Sequence, residues 1–388
     1  MNKKINIIYA KSTAEIFNRQ SALGSYIHCL ATILAKNGYD VSVNELVFHA
    51  GSEQGKNATA NSSGTSSFVK KLIPGFIKEA IRDNRLFKSL EQLYLQIDKG
   101  IAPDCILEFY TYGSDLGLRL SEKYNKPLYL IYDNPVLEEH RFFHGKQLFF
   151  KNKIEAREKR SILHASGIVA YSNAVKNYLE KKYKKQLPVR IHQNVDYTRF
   201  DFINEKPKQV TVNIGFIGSF LKWHRVDLLI NAFIRLKKEG KNVKLFLIGN
   251  GMEFDAIRQQ VVNSGFAADI QLPGFMDGQS LLAFKQKIDI GVMPGSNWYG
   301  APNKIFEYGA AKIAVVAPGT PTIEDLFENN KDLLLFKQDD ESSLYQQLLQ
   351  YVNDKQLRDA HALVLQNKIR NNYSENITFT FYNQLLSS

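Results

Sequence analysis

Short apolar runs recur along this chain, each set off from the next by a stretch with helical spacing, and the series starts twice. Runs of this length, bounded by turn residues and separated by amphipathic segments, are the pattern of parallel strands covered by helices on both faces. The first series reads strand Ile5 to Tyr9, helix from about Gly24 to Lys36, and strand Val41 to Leu46 after the stop signal at Gly38. It continues through Cys105 to Phe109, Leu128 to Tyr132 and Gly167 to Tyr171, and closes with Val189 to Asp196. A polar stretch, Asn204 to Gln209 with Pro207 inside it, reads as a linker. The second series then runs strand Val212 to Ile217, helix Asp227 to Lys238, strand Val243 to Ile248, helix Glu253 to Val262, strand Ile270 to Leu272, helix Ser280 to Lys287 and strand Ile288 to Met293. A helix Lys304 to Ala311, a strand Ile313 to Ala317 and two further helices finish it. The fold class this predicts is α/β, with two Rossmann-like doubly wound parallel sheets facing a cleft. The length of 388 residues agrees, being too great for one ordinary core.

Charge and cysteine content narrow the function classes. The net charge is +11, concentrated in Lys70 to Lys88, Lys146 to Arg160 and Lys176 to Lys185. The last two stretches carry glutamates at helical spacing and read as solvated faces. In the first, Leu72, Ile73, Phe76, Ile77 and Ile81 share one face while Lys70, Lys71, Lys78, Arg82 and Arg85 take other positions. That is a basic amphipathic helix, open to two readings: contact with an anionic membrane surface, or packing of the apolar face on the core. No recognition helix, zinc site or aromatic-basic sheet motif accompanies the charge, so nucleic acid is not expected as a partner. Cys29 and Cys105 stand far apart in apolar surroundings and suit neither a disulfide framework nor a metal site. No signal segment or bilayer span is visible, which points to a cytoplasmic protein. The stretch Ala50 to Ser67 is polar and small, and reads as a mobile surface loop.

In an open parallel sheet ligands bind beyond the carboxyl ends of the strands, where helix N-termini favour anions. The first loop of the second series, Gly218-Ser219-Phe220, leads to Lys222-Trp223-His224-Arg225. Gly218 lets backbone approach a phosphate, and Lys222, His224 and Arg225 bring positive charge; a plain turn beside a basic cluster fits equally. Gly249-Asn250-Gly251 lacks a third glycine, since Phe254 stands in its place, and reads as a turn. The third loop, Pro294 to Pro302, runs into Asn303-Lys304-Ile305-Phe306-Glu307-Tyr308. With Asn303 as N-cap, Lys304 falls in the first helical turn, where a cation opposes the helix dipole unless a bound anion offsets it. Glu307, three residues on, projects from the same face and can accept both hydroxyls of a ribose. The bland alternative is an exposed ion pair between the two.

These residues resemble the retaining GT-B glycosyltransferases of family 4. Gly218-Ser219-Phe220 with Trp223-His224 and Val226-Asp227-Leu228-Leu229 resembles their phosphate loop, and Pro302-Asn303-Lys304-Ile305-Phe306-Glu307-Tyr308 their donor motif. Asp289 to Pro294 also fits. Gly24-Ser25-Tyr26-Ile27-His28 resembles the glycine-led loop on the acceptor side, and Asn194-Val195-Asp196 with Phe200 the crossover between domains. The resemblance implies metal-independent transfer of a sugar, with retention, from a nucleotide-diphosphate sugar to a glycan or lipid-linked acceptor, without a cofactor. It also implies that Glu307 holds the ribose, Lys304 the diphosphate, and Gly24 faces the donor phosphates. Gly218, Ser219, Lys222, His224, Tyr299, Gly300, Ala301, Pro302 and Asn303 would line the donor site. The expected division is 1–203, 204–372 and a terminal helix 373–388 returning to the first domain. Three positions depart from the pattern: Tyr299 replaces the first glutamate of a spaced pair, and Arg225 and Lys312 replace glycines. Asp133 and His140, after a strand of the first domain, stand where polar groups near the transferred sugar are found; a turn cap and a surface histidine are the alternatives. A GT-B-shaped partner without turnover, or an epimerase or phosphorylase of the same architecture, stays open beside the transferase.

Overall fold

The computed structural model describes residues 2–10, 22–49, 75–99, 102–144, 149–193, 195–207 and 210–387. The expected mobile loop at 50–67, and Leu72, Ile73, Lys70 and Lys71 of the basic helix, lie outside them. The chain divides into two compact units, Met1–Asp196 with Glu375–Ser388, and Tyr197–Ser374.

In the first unit, β1 (Lys4–Tyr9), β2 (Asp40–Val43), β3 (Leu46–Val47), β4 (Cys105–Phe109), β5 (Leu128–Tyr132), β6 (Gly167–Ala170) and β7 (Val189–Ile191) form one sheet in the order β3-β2-β1-β4-β5-β6-β7. All pairs are parallel except β2 with β3. The single strand expected over Val41 to Leu46 is therefore broken. Asn44 takes a left-handed φ of 52°, and its side-chain amide bonds the backbone of Tyr9 in both directions, at 2.9 and 3.0 Å. Its side chain thus stands in for a strand partner and the backbone turns back. The helix Glu375–Ser387 belongs to this unit: Tyr382, Leu385 and Leu386 are buried with Ile5, Ile7, Leu30 and Leu107.

The second unit repeats the plan with β8 (Val212–Ile217), β9 (Val243–Ile248), β10 (Ile270–Gly274), β11 (Ile290–Val292), β12 (Ala314–Pro318) and β13 (Leu334–Phe336), in the order β10-β9-β8-β11-β12-β13, all parallel. The sequence reading did not foresee β13 or the helix Pro321–Leu326, and counted two closing helices where three follow, Glu341–Asn353, Lys355–Asn372 and Glu375–Ser387. Both missed elements are too short to show a period. Strand order reverses between β8 and β11, so the loops after these two strands flank the crevice where ligands settle in such sheets. Both units are Rossmann-like, and together they make the GT-B fold. Among the described residues no helix is long and apolar enough to cross a membrane.

Candidate active site

The second unit brings Gly218 and His224, of the expected donor residues, against Lys304. The helix that carries it, Asn303–Ala310, is capped by Pro302, without a side-chain cap hydrogen bond. Asn303 is thus the first helical residue rather than the cap, because the chain is already helical when it leaves the proline; Lys304 remains in the first turn. Ile305 and Phe306, both fully buried, anchor the helix with about 1.5–3 kcal/mol each. Gly309 allows close packing on the helix Lys355–Asn372: a Cβ there would lie 2.8 Å from Leu365 and from Ile369. Tyr308 fixes the rotation, since its hydroxyl accepts the Ile217 N–H at 2.8 Å and its ring occupies the space left by Gly291.

Lys304 then passes directly over the β8 loop. A Cβ on Gly218 would stand 2.4 Å from Lys304 Cε, so the glycine is what lets the side chain through. The Nζ lies 3.2 Å from His224 Nε2 and 5.6 Å from the centre of the Phe216 ring. Loss of water pushes the ammonium pKa down to about 8, with Glu307 opposing and Arg199 adding to the fall. The same loss of water, and the neighbouring Lys304, push His224 down to about 4. The neutral ring donates from Nδ1 to the Ser219 carbonyl, which leaves Nε2 as acceptor for the ammonium.

The glycines of the β9 loop turn out to be part of this construction. Gly249 has φ 142°, and a Cβ on it would lie 1.9 Å from the Gly218 carbonyl oxygen. One on Gly251 would meet the Phe220 backbone at 2.5 Å. The two loops are laid against one another, with Gly218 N–H donating to Ile248 O and Phe220 N–H to Asn250 O, both at 2.9 Å. Gly249-Asn250-Gly251 is therefore more than the plain turn expected from the sequence, because its glycines let the two loops lie in backbone contact.

Glu307 is not paired with Lys304 in an exposed i,i+3 bridge. Its Oε1 lies 3.4 Å from Arg199 and its Oε2 3.6 Å from Lys285. Lys285 is buried and also donates to Asp201 at 2.7 Å. These three partners escaped the sequence reading. Lys285 carried the one usable signal: it follows Leu281 by four and Leu282 by three, which puts a lysine on the apolar face of its helix. Ser219 and Lys222 stand exposed on the loop. Tyr299 is 5% exposed, its ring edge-on to Trp298 at 5.1 Å, and its N–H is held by Asn297 Oδ1 at 3.1 Å. Gly300 packs against Ser296 and Asn297, with Ala301 and Pro302 completing the approach to the helix. The two glycine replacements have a backbone cause: Arg225 and Lys312 have φ of 48° and 52°, a region that costs other residues about 1–2 kcal/mol. Arg225 offsets this with ion pairs to Asp227 and Asp339.

Gly24, Asp133 and His140 belong to the first unit. Gly24 is buried in the first turn of the helix Ala22–Lys36, and Asp133 is partly buried in the loop after β5. His140 is no surface residue: it is 8% exposed, stacked on Tyr112 at 4.1 Å, and 2.9 Å from the Arg82 guanidinium and 3.4 Å from Glu79. Arg82 also pairs with Asp83, and Tyr112 donates to Asp83 at 3.4 Å. The helix Gly75–Ile97 therefore turns Glu79 and Asp83 inward, while Ile77 and Ile81 are 38% and 41% exposed. Of the apolar face read from the sequence, the two residues whose side chains are described, Ile77 and Ile81, are the exposed ones, and the acid–base cluster takes the buried side.

Comparison with known proteins agrees with the geometry. The family model of glycosyl transferases group 1 matches residues 211–354, the body of the second unit. A relative described as an uncharacterized glycosyltransferase, from Methanocaldococcus jannaschii, is 21% identical over 241 residues, 58% of this chain and 60% of that protein. Among solved structures, sucrose-phosphate synthase from Thermosynechococcus elongatus superposes with a TM-score of 0.73 at 14% identity over all of both chains. Anabaena HepE in complex with UDP gives 0.69 at 14% identity, again over the full length of both. The family match lies within the second unit, and the likeness to solved structures over the full chain shows the fold.

Proposed function

We propose that the chain transfers a sugar, with retention at the anomeric carbon, from a nucleotide-diphosphate sugar to a glycan or lipid-linked acceptor in the assembly of a cell-surface polysaccharide or glycolipid. The observation that carries this reading is the Lys304 ammonium, drawn out of water over the backbone of Gly218 at the strand-order switch. A cation in a first helical turn, far from its ordinary pKa, weakens the empty protein and gains when a diphosphate arrives. Lys304 and the loop N–H groups would stabilise the charge that develops on the leaving diphosphate, without a metal, and Glu307 would hold the ribose. Crystals of HepE with UDP and with UDP-glucose support a nucleotide-sugar in this fold. Asp133 and His140 remain proposed groups for the transferred sugar.

Thermal denaturation with UDP, GDP, ADP, TDP and CMP and their sugar conjugates tests the donor site. A ligand at 100 times its dissociation constant raises native stability by about 2.7 kcal/mol, and that gain is expected for one base and lost in Glu307→Ala. The buried Tyr299 favours a second reading, a partner subunit that binds a nucleotide without turnover. Donor hydrolysis or transfer by the wild type, abolished in Glu307→Ala, excludes it; nucleotide binding with neither activity supports it.

A further inference from the structure

The two cations on Glu307 differ in kind. Lys285 is 3% exposed and neutralised on both sides, by Asp201 at 2.7 Å and by Glu307 Oε2 at 3.6 Å. Withdrawing it would strand buried charge, so it is a fixed support. Arg199 closes the short 3-10 turn Tyr197–Arg199 with its side chain 44% exposed, and meets Oε1 at 3.4 Å. An ion pair at such an edge is weak and readily exchanged. A ribose diol asks for the same carboxylate lone pairs that Arg199 now occupies. The guanidinium is also near enough to Lys304 to make its ammonium less favourable, so it shares the field of the cation assigned to the diphosphate.

We propose that Arg199 is an exchangeable placeholder: it pairs with Glu307 at the ribose seat, and on donor binding yields the carboxylate to the diol and turns its charge to the diphosphate. Lys285 and Asp201 act beneath it as a positioning pair that keeps Glu307 aimed as Arg199 leaves. The proposal rests on the donor-site reading above. It makes a prediction of opposite sign for two ligands that share a ribose. Without Arg199 a bare nucleoside meets no competitor and binds more tightly, whereas a nucleoside diphosphate loses a cation and binds more weakly.

Titration calorimetry with uridine, adenosine and guanosine and with UDP, ADP and GDP tests this on wild type, Arg199→Ala, Arg199→Gln and Glu307→Ala, each checked for an unchanged melting temperature without ligand. The expected result for both Arg199 variants is nucleoside affinity up about threefold and diphosphate affinity down about tenfold, the first from removing a weak edge pair and the second from removing a charge-assisted bond to phosphate. Affinities that move in the same direction, or that stay put in both Arg199 variants while Glu307→Ala abolishes diphosphate binding, overturn the placeholder and leave the donor site standing. A wild type that binds none of the three diphosphates overturns the donor reading and the placeholder with it.

Discussion

Lys304 illustrates how one residue couples proton and ligand. Its folded pKa of about 8 lies below the usual 10.5, so between those values the unfolded chain binds more protons and stability from this group rises with pH. Below pH 8 the ammonium is charged in both states and the cost of burying it is fully felt. A bound diphosphate favours the charged form, so binding above pH 8 takes up a proton. Nucleoside diphosphate affinity is therefore expected to fall as pH rises through about 8, and to fall much less in Lys304→Arg. Lys304→Met should weaken diphosphate binding at pH 7 by the about 1.5–3 kcal/mol of a charge-assisted hydrogen bond; calorimetry across pH 6.5–9.5 reads both, and a flat wild-type profile would place the diphosphate elsewhere. The placement of Lys304 and Glu307 three residues apart on one helix was legible in the sequence. Their partners were not: Arg199 and Lys285 reach Glu307, and Asp201 reaches Lys285, from distant parts of the sequence, and only the fold assembles them.

At the level of elements, the helix Gly75–Ile97 shows what periodicity tells and what it omits. Helical spacing was visible in the sequence, but which face is buried was decided by Glu79 meeting His140 and Asp83 meeting Tyr112, contacts no local pattern encodes. The outward face carries Ile77 and Ile81 together with exposed Lys78, Arg85 and Lys88, and we propose this face for contact with an anionic lipid surface. Each such cation near the membrane adds about 1 kcal/mol. Neutralising the three should lower co-sedimentation with phosphatidylserine liposomes on the order of a hundredfold; equal pelleting would end the idea. The strands β8 and β9, by contrast, begin and end where the sequence reading placed them, because each is largely buried and is followed by a glycine turn.

Across the whole molecule, two parallel sheets were legible from the restart of the strand and helix series, while the membership of the last helix was not readable from its own residues. Glu375–Ser387 completes the first unit: Tyr382 is fully buried, its hydroxyl 3.1 Å from that of Tyr26, with Leu385 and Leu386 beside it. Burial of three such side chains contributes about 5–9 kcal/mol, comparable with the entire stability of a domain. Deleting 375–388 should therefore remove one of two calorimetric transitions and leave nucleotide-induced stabilisation of the other; loss of that response would mean the second unit depends on this helix. The chain crosses at Asp196 and returns at Glu375, which also sets an order of assembly. During synthesis the first sheet is made early, yet it lacks Tyr382, Leu385 and Leu386 for as long as the second unit takes to emerge. At bacterial or eukaryotic elongation rates that wait is about 10–40 s. The half of the protein that is translated second is the half free to fold first, and the interval in between is when the nascent chain most needs a chaperone.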